Sequence, residues 1–169
     1  MPPETVILAT ADGLALVGDA FLPASPWAAA VVTHPHPLYG GDRNNLVVDA
    51  LCGALLAADV AVVRFDFRGV GDSEGEHDDG QGERLDVVAA LEVATPFAGD
   101  GPVLLAGYSF GALVALNVTD PRLSGWVAVA PPLGPASGAE PASPSGGATA
   151  THPLSRGSVT FSATSAPNE

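Results

Sequence analysis

The chain has 169 residues but a single cysteine, only six basic residues, and no apolar run long enough to cross a bilayer. With Cys52 alone, no intramolecular disulfide can form, which fits a reducing compartment. Cys52 falls in an apolar helical stretch and reads as buried filler rather than a reactive thiol. The opening residues, Met1-Pro2-Pro3-Glu4, lack the positive charge and apolar core of a secretory signal, so a cytoplasmic setting is expected. Acidic residues outnumber basic ones 19 to 6, giving a net charge of −13. Phosphate binding needs clustered Lys and Arg, so nucleic acid and anionic membrane surfaces are poor candidates for partners. The acidic excess serves solubility.

What is present is a regular alternation of element types. Val6-Ile7-Leu8-Ala9 and Leu14-Ala15-Leu16-Val17 flank Ala11-Asp12-Gly13, and an Asp-Gly pair between β-like runs predicts a hairpin. Residues 28–33 form a continuous apolar run, as in strands buried on both faces. Asn44 and Asn45 can cap a helix over 46–57, where apolar residues recur at helical spacing. Strands are predicted over 60–67, 103–107 and 126–130, and helices over 83–97 and 111–119. Strands alternating with helices imply βαβ units, hence an α/β domain with a mostly parallel sheet covered on both faces. Residues 1–132 are expected to be that domain.

Three segments carry chemistry. Gly107-Tyr108-Ser109-Phe110-Gly111 has the spacing Gly-x-Ser-x-Gly, follows an apolar strand and opens an apolar helix. That is the setting of a nucleophile elbow: a strained turn lifts the serine hydroxyl above the sheet, and glycines two residues either side allow strand and helix to approach. The helix N-terminus supplies free N–H groups for an oxyanion. His34-Pro35-His36-Pro37-Leu38-Tyr39-Gly40-Gly41 follows the third strand, where a second oxyanion N–H is expected. Pro35 and Pro37 have none to give, which leaves His36, with Leu38 or Tyr39 as alternatives. The His34 side chain is expected to bond loop backbone. No carboxylate–histidine cluster accompanies the two imidazoles, so no metal is expected. Phe65 to Gly75 ends the next strand with a Gly-rich turn, but its third glycine comes one residue late for a dinucleotide fingerprint, so no cofactor is expected.

These motifs, with Asp66-Phe67-Arg68-Gly69-Val70-Gly71-Asp72-Ser73 between them, resemble the small bacterial α/β-hydrolases. The dienelactone-hydrolase-like and serine-aminopeptidase-like predicted hydrolases are the nearest in kind. The resemblance covers roughly Thr5 to Pro132. It implies that Ser109 is the nucleophile, that the Phe110 N–H is one oxyanion donor and that the His36 region gives the other. It also implies hydrolysis of a small-molecule ester, thioester or amide through an acyl-enzyme.

The chain departs from that pattern beyond Leu133. About three-quarters of residues 133–169 are Pro, Gly, Ser, Ala or Thr, with few apolar anchors, so a disordered tail is expected. A short strand at Ser158-Val159-Thr160-Phe161 is the competing reading. The fold's catalytic order is Ser, then acid, then His. After Ser109 the acids are Asp120, Glu140 and Glu169, and the sole histidine is His152. Asp120 precedes Pro121 and reads as a capping or solvated residue. Glu140 and His152 are the remaining in-order pair, in a segment with no strands to hold them. The expectation is a hydrolase whose end is truncated or frame-shifted after about Pro132, with its sixth strand left as a sheet edge. Translation of the coding sequence beyond the Pro132 codon in the other two frames should then reveal apolar strands with an Asp and a His. If neither frame yields them, the frameshift idea is wrong.

Overall fold

A computed structural model describes residues 2–132. The N-terminal hairpin pairs β1 (Glu4–Ala9) with β2 (Ala15–Phe21) antiparallel around the Asp12-Gly13 turn. Four parallel strands follow, joined by helices: β3 (Ala28–Thr33), α1 (Leu46–Ala57), β4 (Val60–Phe65), α2 (Gly82–Ala98), β5 (Val103–Tyr108), α3 (Phe110–Leu116) and β6 (Leu123–Val129). The strand order is β1-β2-β4-β3-β5-β6, with β2 antiparallel to β4. This is the mostly parallel α/β architecture expected from the alternation of apolar runs. Several boundaries differ from expectation, and the hairpin strands extend further, to Glu4 and Phe21. Strand β4 stops at Phe65, helix α3 is shorter and starts on Phe110, and β6 begins at Leu123. The tail over 133–169, including the alternative strand at 158–161, lies outside the described residues.

The continuous apolar runs have a direct explanation. Successive residues of a strand face opposite sides of the sheet, and here both sides are covered. Ala29 and Val31 of β3, with Ala61 and Val63 of β4, pack toward α2 and α3. Ala28, Ala30 and Val32, with Val60 and Val62, pack toward Val48, Cys52 and Leu55 of α1. Cys52 is buried there, and burial pushes its thiol up to about 12, consistent with an inert filler. Asn45 caps α1 by accepting the Val47 N–H at 2.9 Å.

Helix α1 leaves the C-terminal end of β3 toward one face, and α3 leaves the adjacent β5 toward the other. The loops at these two strand ends therefore diverge, which makes this a topological switch point, the place where open α/β sheets have the crevice in which ligands gather.

Two buried polar residues fix the loops around that crevice. Fully buried His34 follows β3, and its Nδ1 lies 2.7 Å from the Pro35 carbonyl, to which it donates. Its Nε2 accepts the Phe67 N–H at 3.0 Å, so the ring ties the end of β3 to the turn after β4. This is the backbone-bonding role expected for it. Arg68, in the Gly-rich turn, donates to Asp86 on α2 at 2.7 and 3.0 Å and to Asp12 in the hairpin turn at 2.9 Å. That turn is thus a structural junction of hairpin, loop and helix.

Removing Arg68 strands the fully buried Asp86 carboxylate. Arg68→Ala should therefore lower stability by about 3–5 kcal/mol in urea unfolding. Replacing both partners, Arg68→Met with Asp86→Leu, should recover much of it; a single-variant loss below about 1 kcal/mol would show that the pair is not energetically buried.

His34 predicts a pH dependence. Burial lowers its pKa below the ordinary 6.5, only partly opposed by its Pro35 hydrogen bond and nearby acids. The unfolded chain takes up this proton at a higher pH than the folded one, so stability is complete above about pH 7 and falls as the pH drops from about 6.5 toward the folded value. Urea midpoints between pH 5 and 8 should show that decline, and His34→Gln should flatten it. An unchanged slope in the variant would rule out His34 as its source.

Candidate functional site

The elbow is built on backbone constraint. Ser109 links β5 to α3 with φ 53° and ψ −117°, a conformation that a side-chain-bearing residue adopts at a cost of roughly 1–3 kcal/mol. Its N–H donates to the Val129 carbonyl at 2.9 Å, and its own carbonyl accepts the Leu113 N–H at 3.0 Å. The strained residue is therefore held between the last rung of the β5–β6 ladder and the first turn of α3.

The flanking glycines are sterically required. A Cβ on Gly111 would stand 2.4 Å from the His34 carbonyl oxygen, and one on Gly107 would stand 2.6 Å from Thr33 Oγ1 and 2.7 Å from the Ala112 nitrogen. The elbow thus packs its backbone directly onto the end of β3. Thr33 Oγ1 strengthens the contact by donating to the Ala106 carbonyl at 3.1 Å.

The loop after β3 lies beside it. Residues Pro37–Tyr39 make a single 3-10 turn capped by His36. The N–H groups of the alternatives weighed from sequence are used inside this turn: Tyr39 donates to the His36 carbonyl at 3.1 Å, and Leu38 donates to His36 Nδ1 at 3.3 Å. Among the described residues, the His36 N–H has no hydrogen-bond partner, and neither does the Phe110 N–H. These are the two groups singled out from sequence as oxyanion donors. Burial, followed by the nearby His77, lowers the His36 pKa and keeps its ring neutral, as acceptance of the Leu38 N–H requires.

Beyond the loop, an ionic network fixes its exit. Arg43 donates through its backbone N–H to Asp66 at 2.8 Å and pairs through its guanidinium with Asp66 and Asp19. Arg64 also donates to Asp19, at 3.1 Å. Arg43 and Arg64 are therefore both committed to carboxylates.

Sequence reasoning missed His77 and Glu83. His77 sits in an acidic run that reads as solvated surface, yet its side chain is only 9% exposed. Its ring centroid lies 4.8 Å from that of His36 and 5.3 Å from that of Phe110. Glu83, fully buried in the first turn of α2, accepts the N–H groups of Asp78 and Gly80 at 2.9 and 2.8 Å. A glutamate opening a helix was the one available signal, since carboxylates favour that position. Asp120 is not simply solvated: it holds Arg122 at 2.6 and 2.8 Å, and those hydrogen bonds lower its pKa.

Among the described residues, no group of three His, Cys, Asp or Glu side chains is placed to hold a metal ion, and no helix is long and apolar enough to cross a membrane. Three histidines are described, and all precede Ser109. Glu140 and His152 lie outside the described residues.

Comparison with known proteins gives the site a family. An α/β serine hydrolase homologue from Coxiella burnetii superposes with a TM-score of 0.73 at 34% identity, covering 81% of this chain and 67% of that one. An α/β serine hydrolase without a lid from Xanthomonas campestris matches with a TM-score of 0.63 at 36% identity, covering 69% of this chain and 56% of the other. An uncharacterised protein of Rickettsia prowazekii is 40% identical over 109 residues, which are 62% of this chain and 45% of that protein, so the chain spans about half the length of that curated relative. The model of the Alpha/beta hydrolase family matches residues 20–167, from the second strand of the hairpin through the elbow and beyond, and the chain belongs to that family.

Proposed function

We propose that Ser109 is the nucleophile of a serine hydrolase site that takes a small-molecule ester, thioester or amide through an acyl-enzyme. The observation that carries this reading is the backbone of Ser109, strained at φ 53° between β5 and α3. Such strain persists where the surrounding structure imposes it, and an elbow uses it to present the hydroxyl.

In this reading Ser109 Oγ attacks the acyl carbonyl carbon, and the carbonyl oxygen takes up the negative charge. The N–H groups of Phe110 and His36, which have no partner among the described residues, receive that oxygen. Because their positions are set before substrate arrives, little reorganisation is needed as charge develops. The bond to the leaving group breaks as that group takes the proton Ser109 has given up; water then attacks the acyl-serine, leaving its OH in the acid and its other proton on Ser109 Oγ. No cofactor is required by this chemistry, and a carboxylic ester is the simplest substrate. The single cysteine and the acidic surface suit a cytoplasmic enzyme with no nucleic acid or membrane partner. The domain in this reading spans residues 1–132, with 133–169 as its tail.

A second reading has its own support. The described histidines all precede Ser109, whereas the fold's catalytic order puts the base after it. Glu140 and His152 are the in-order pair, within the span matched by the family model but in a Gly/Pro/Ser-rich segment. If they do not complete a triad, the chain is a catalytically impaired hydrolase that retains acyl binding. Loss of the base in such enzymes costs on the order of a millionfold in kcat, while the oxyanion hole and binding alone retain about 10³–10⁴ over water.

Two measurements on the full chain separate these possibilities. Phenylboronic acid should form a tetrahedral adduct on Ser109, seen by boron NMR and lost in Ser109→Ala; equal binding by that variant would sink the nucleophile assignment. Hydrolysis of p-nitrophenyl acetate then tests the base. A drop of 10⁴-fold or more in His152→Ala would establish a working triad, whereas a slow rate unchanged by that substitution supports the impaired reading.

A further inference from the structure

The side chains of the two proposed oxyanion donors meet each other, and a third ring touches both. His36 and Phe110 have ring centroids 4.8 Å apart, and His77 lies 4.8 Å from the first and 5.3 Å from the second. Tyr39 closes the outer side of His36 at 4.7 Å. The His36 and Phe110 backbones come from different elements, the loop after β3 and the start of α3. A relative shift of these elements would change the separation of the two N–H groups.

The loop that delivers His77 is itself anchored. Residue 83 is a fully buried glutamate whose carboxylate accepts the Asp78 and Gly80 N–H groups, and Asp78 in turn accepts the Gly82 N–H at 3.0 Å. His77 Nδ1 lies 2.8 Å from Glu83 Oε1, and its Nε2 lies 3.3 Å from Asp79 Oδ1. Neither contact has the in-line geometry of a ring N–H hydrogen bond. The ring is therefore held by its packing against His36 and Phe110, on a loop that Glu83 fixes.

Resting on the Ser109 reading, we propose that His77 is a positioning residue: its ring, packed against both His36 and Phe110 where those two meet, sets the spacing of the two backbone N–H groups that receive the oxyanion. It does not touch substrate. What matters is the shape and placement of a flat ring, so an aromatic replacement should serve and a small one should not.

The test uses the full-length protein with phenylboronic acid as the probe. His77→Ala should weaken adduct formation on the order of tenfold, because a misplaced donor forfeits part of the roughly 10²–10³ that a whole donor contributes. His77→Phe should restore it. Equal unfolding midpoints for the two variants would separate positioning from bulk stability. If wild type forms the adduct, Ser109→Ala loses it and His77→Ala leaves affinity unchanged, the positioning role is refuted. Failure of His77→Phe to rescue adduct formation would also refute it. An absent adduct in wild type would instead bring down the Ser109 reading on which the proposal stands.

Discussion

The contact on which the site depends is one of backbone against backbone: Gly111, at the start of α3, lies against the carbonyls of Thr33 and His34, where a Cβ would stand 2.4 Å from the His34 oxygen. Everything around the crevice follows from that approach. It brings the first turn of α3 over the end of β3, and Gly107 allows β5 to reach the same point without displacing Thr33. Ser109, between these glycines, then has no relaxed conformation available and takes a positive φ. A methyl group at either glycine would act on the serine without touching it, by moving the elements that hold it.

The same junction ties the site to the rest of the domain. His34 passes the constraint to the turn after β4 through the Phe67 N–H, and Arg68 passes it on to α2 and the hairpin. Glu83, at the head of α2, holds the loop that carries His77 back toward Phe110. The loops around the crevice are thus linked by side-chain to backbone bonds at His34 and Glu83, by the Arg68 ion pairs and by the packing of His77 on Phe110. Such bonds hold loop geometry where no regular ladder can satisfy the main chain.

Much of this was legible in the sequence because it is written in local patterns. The elbow is five consecutive residues, α1 is announced by Asn45, and apolar runs such as 28–33 follow from a sheet covered on both faces. Two prolines without N–H groups narrow the loop's free donors toward His36, and the structure adds that Leu38 and Tyr39 spend theirs inside the turn. What could not be read was contact between distant segments. His77 lies among Glu76, Asp78 and Asp79, a composition typical of solvated loops, and only tertiary packing puts its ring beside Phe110. At Asp120 the capping half of the expectation was local and readable, since its Oδ1 accepts the Arg122 N–H two residues on; the added pairing with the Arg122 guanidinium was not. The ends of β4 and α3 shifted for a related reason: apolar composition continues past the point where hydrogen bonding stops.

The register of β3 has a consequence for the order in which the molecule can assemble. Ala29 lies opposite Ala61 on one side and Val103 on the other, while β2, made earlier, joins the sheet only through β4. A chain emerging from the ribosome therefore presents β3 before either neighbour exists, and the first hairpin has nothing to dock on until β4 has been synthesised. One edge of the apolar stretch 28–33 then stays unpaired through the whole of α2 until β5 is made, which makes the nascent chain rather than the finished fold the state most dependent on protection from aggregation.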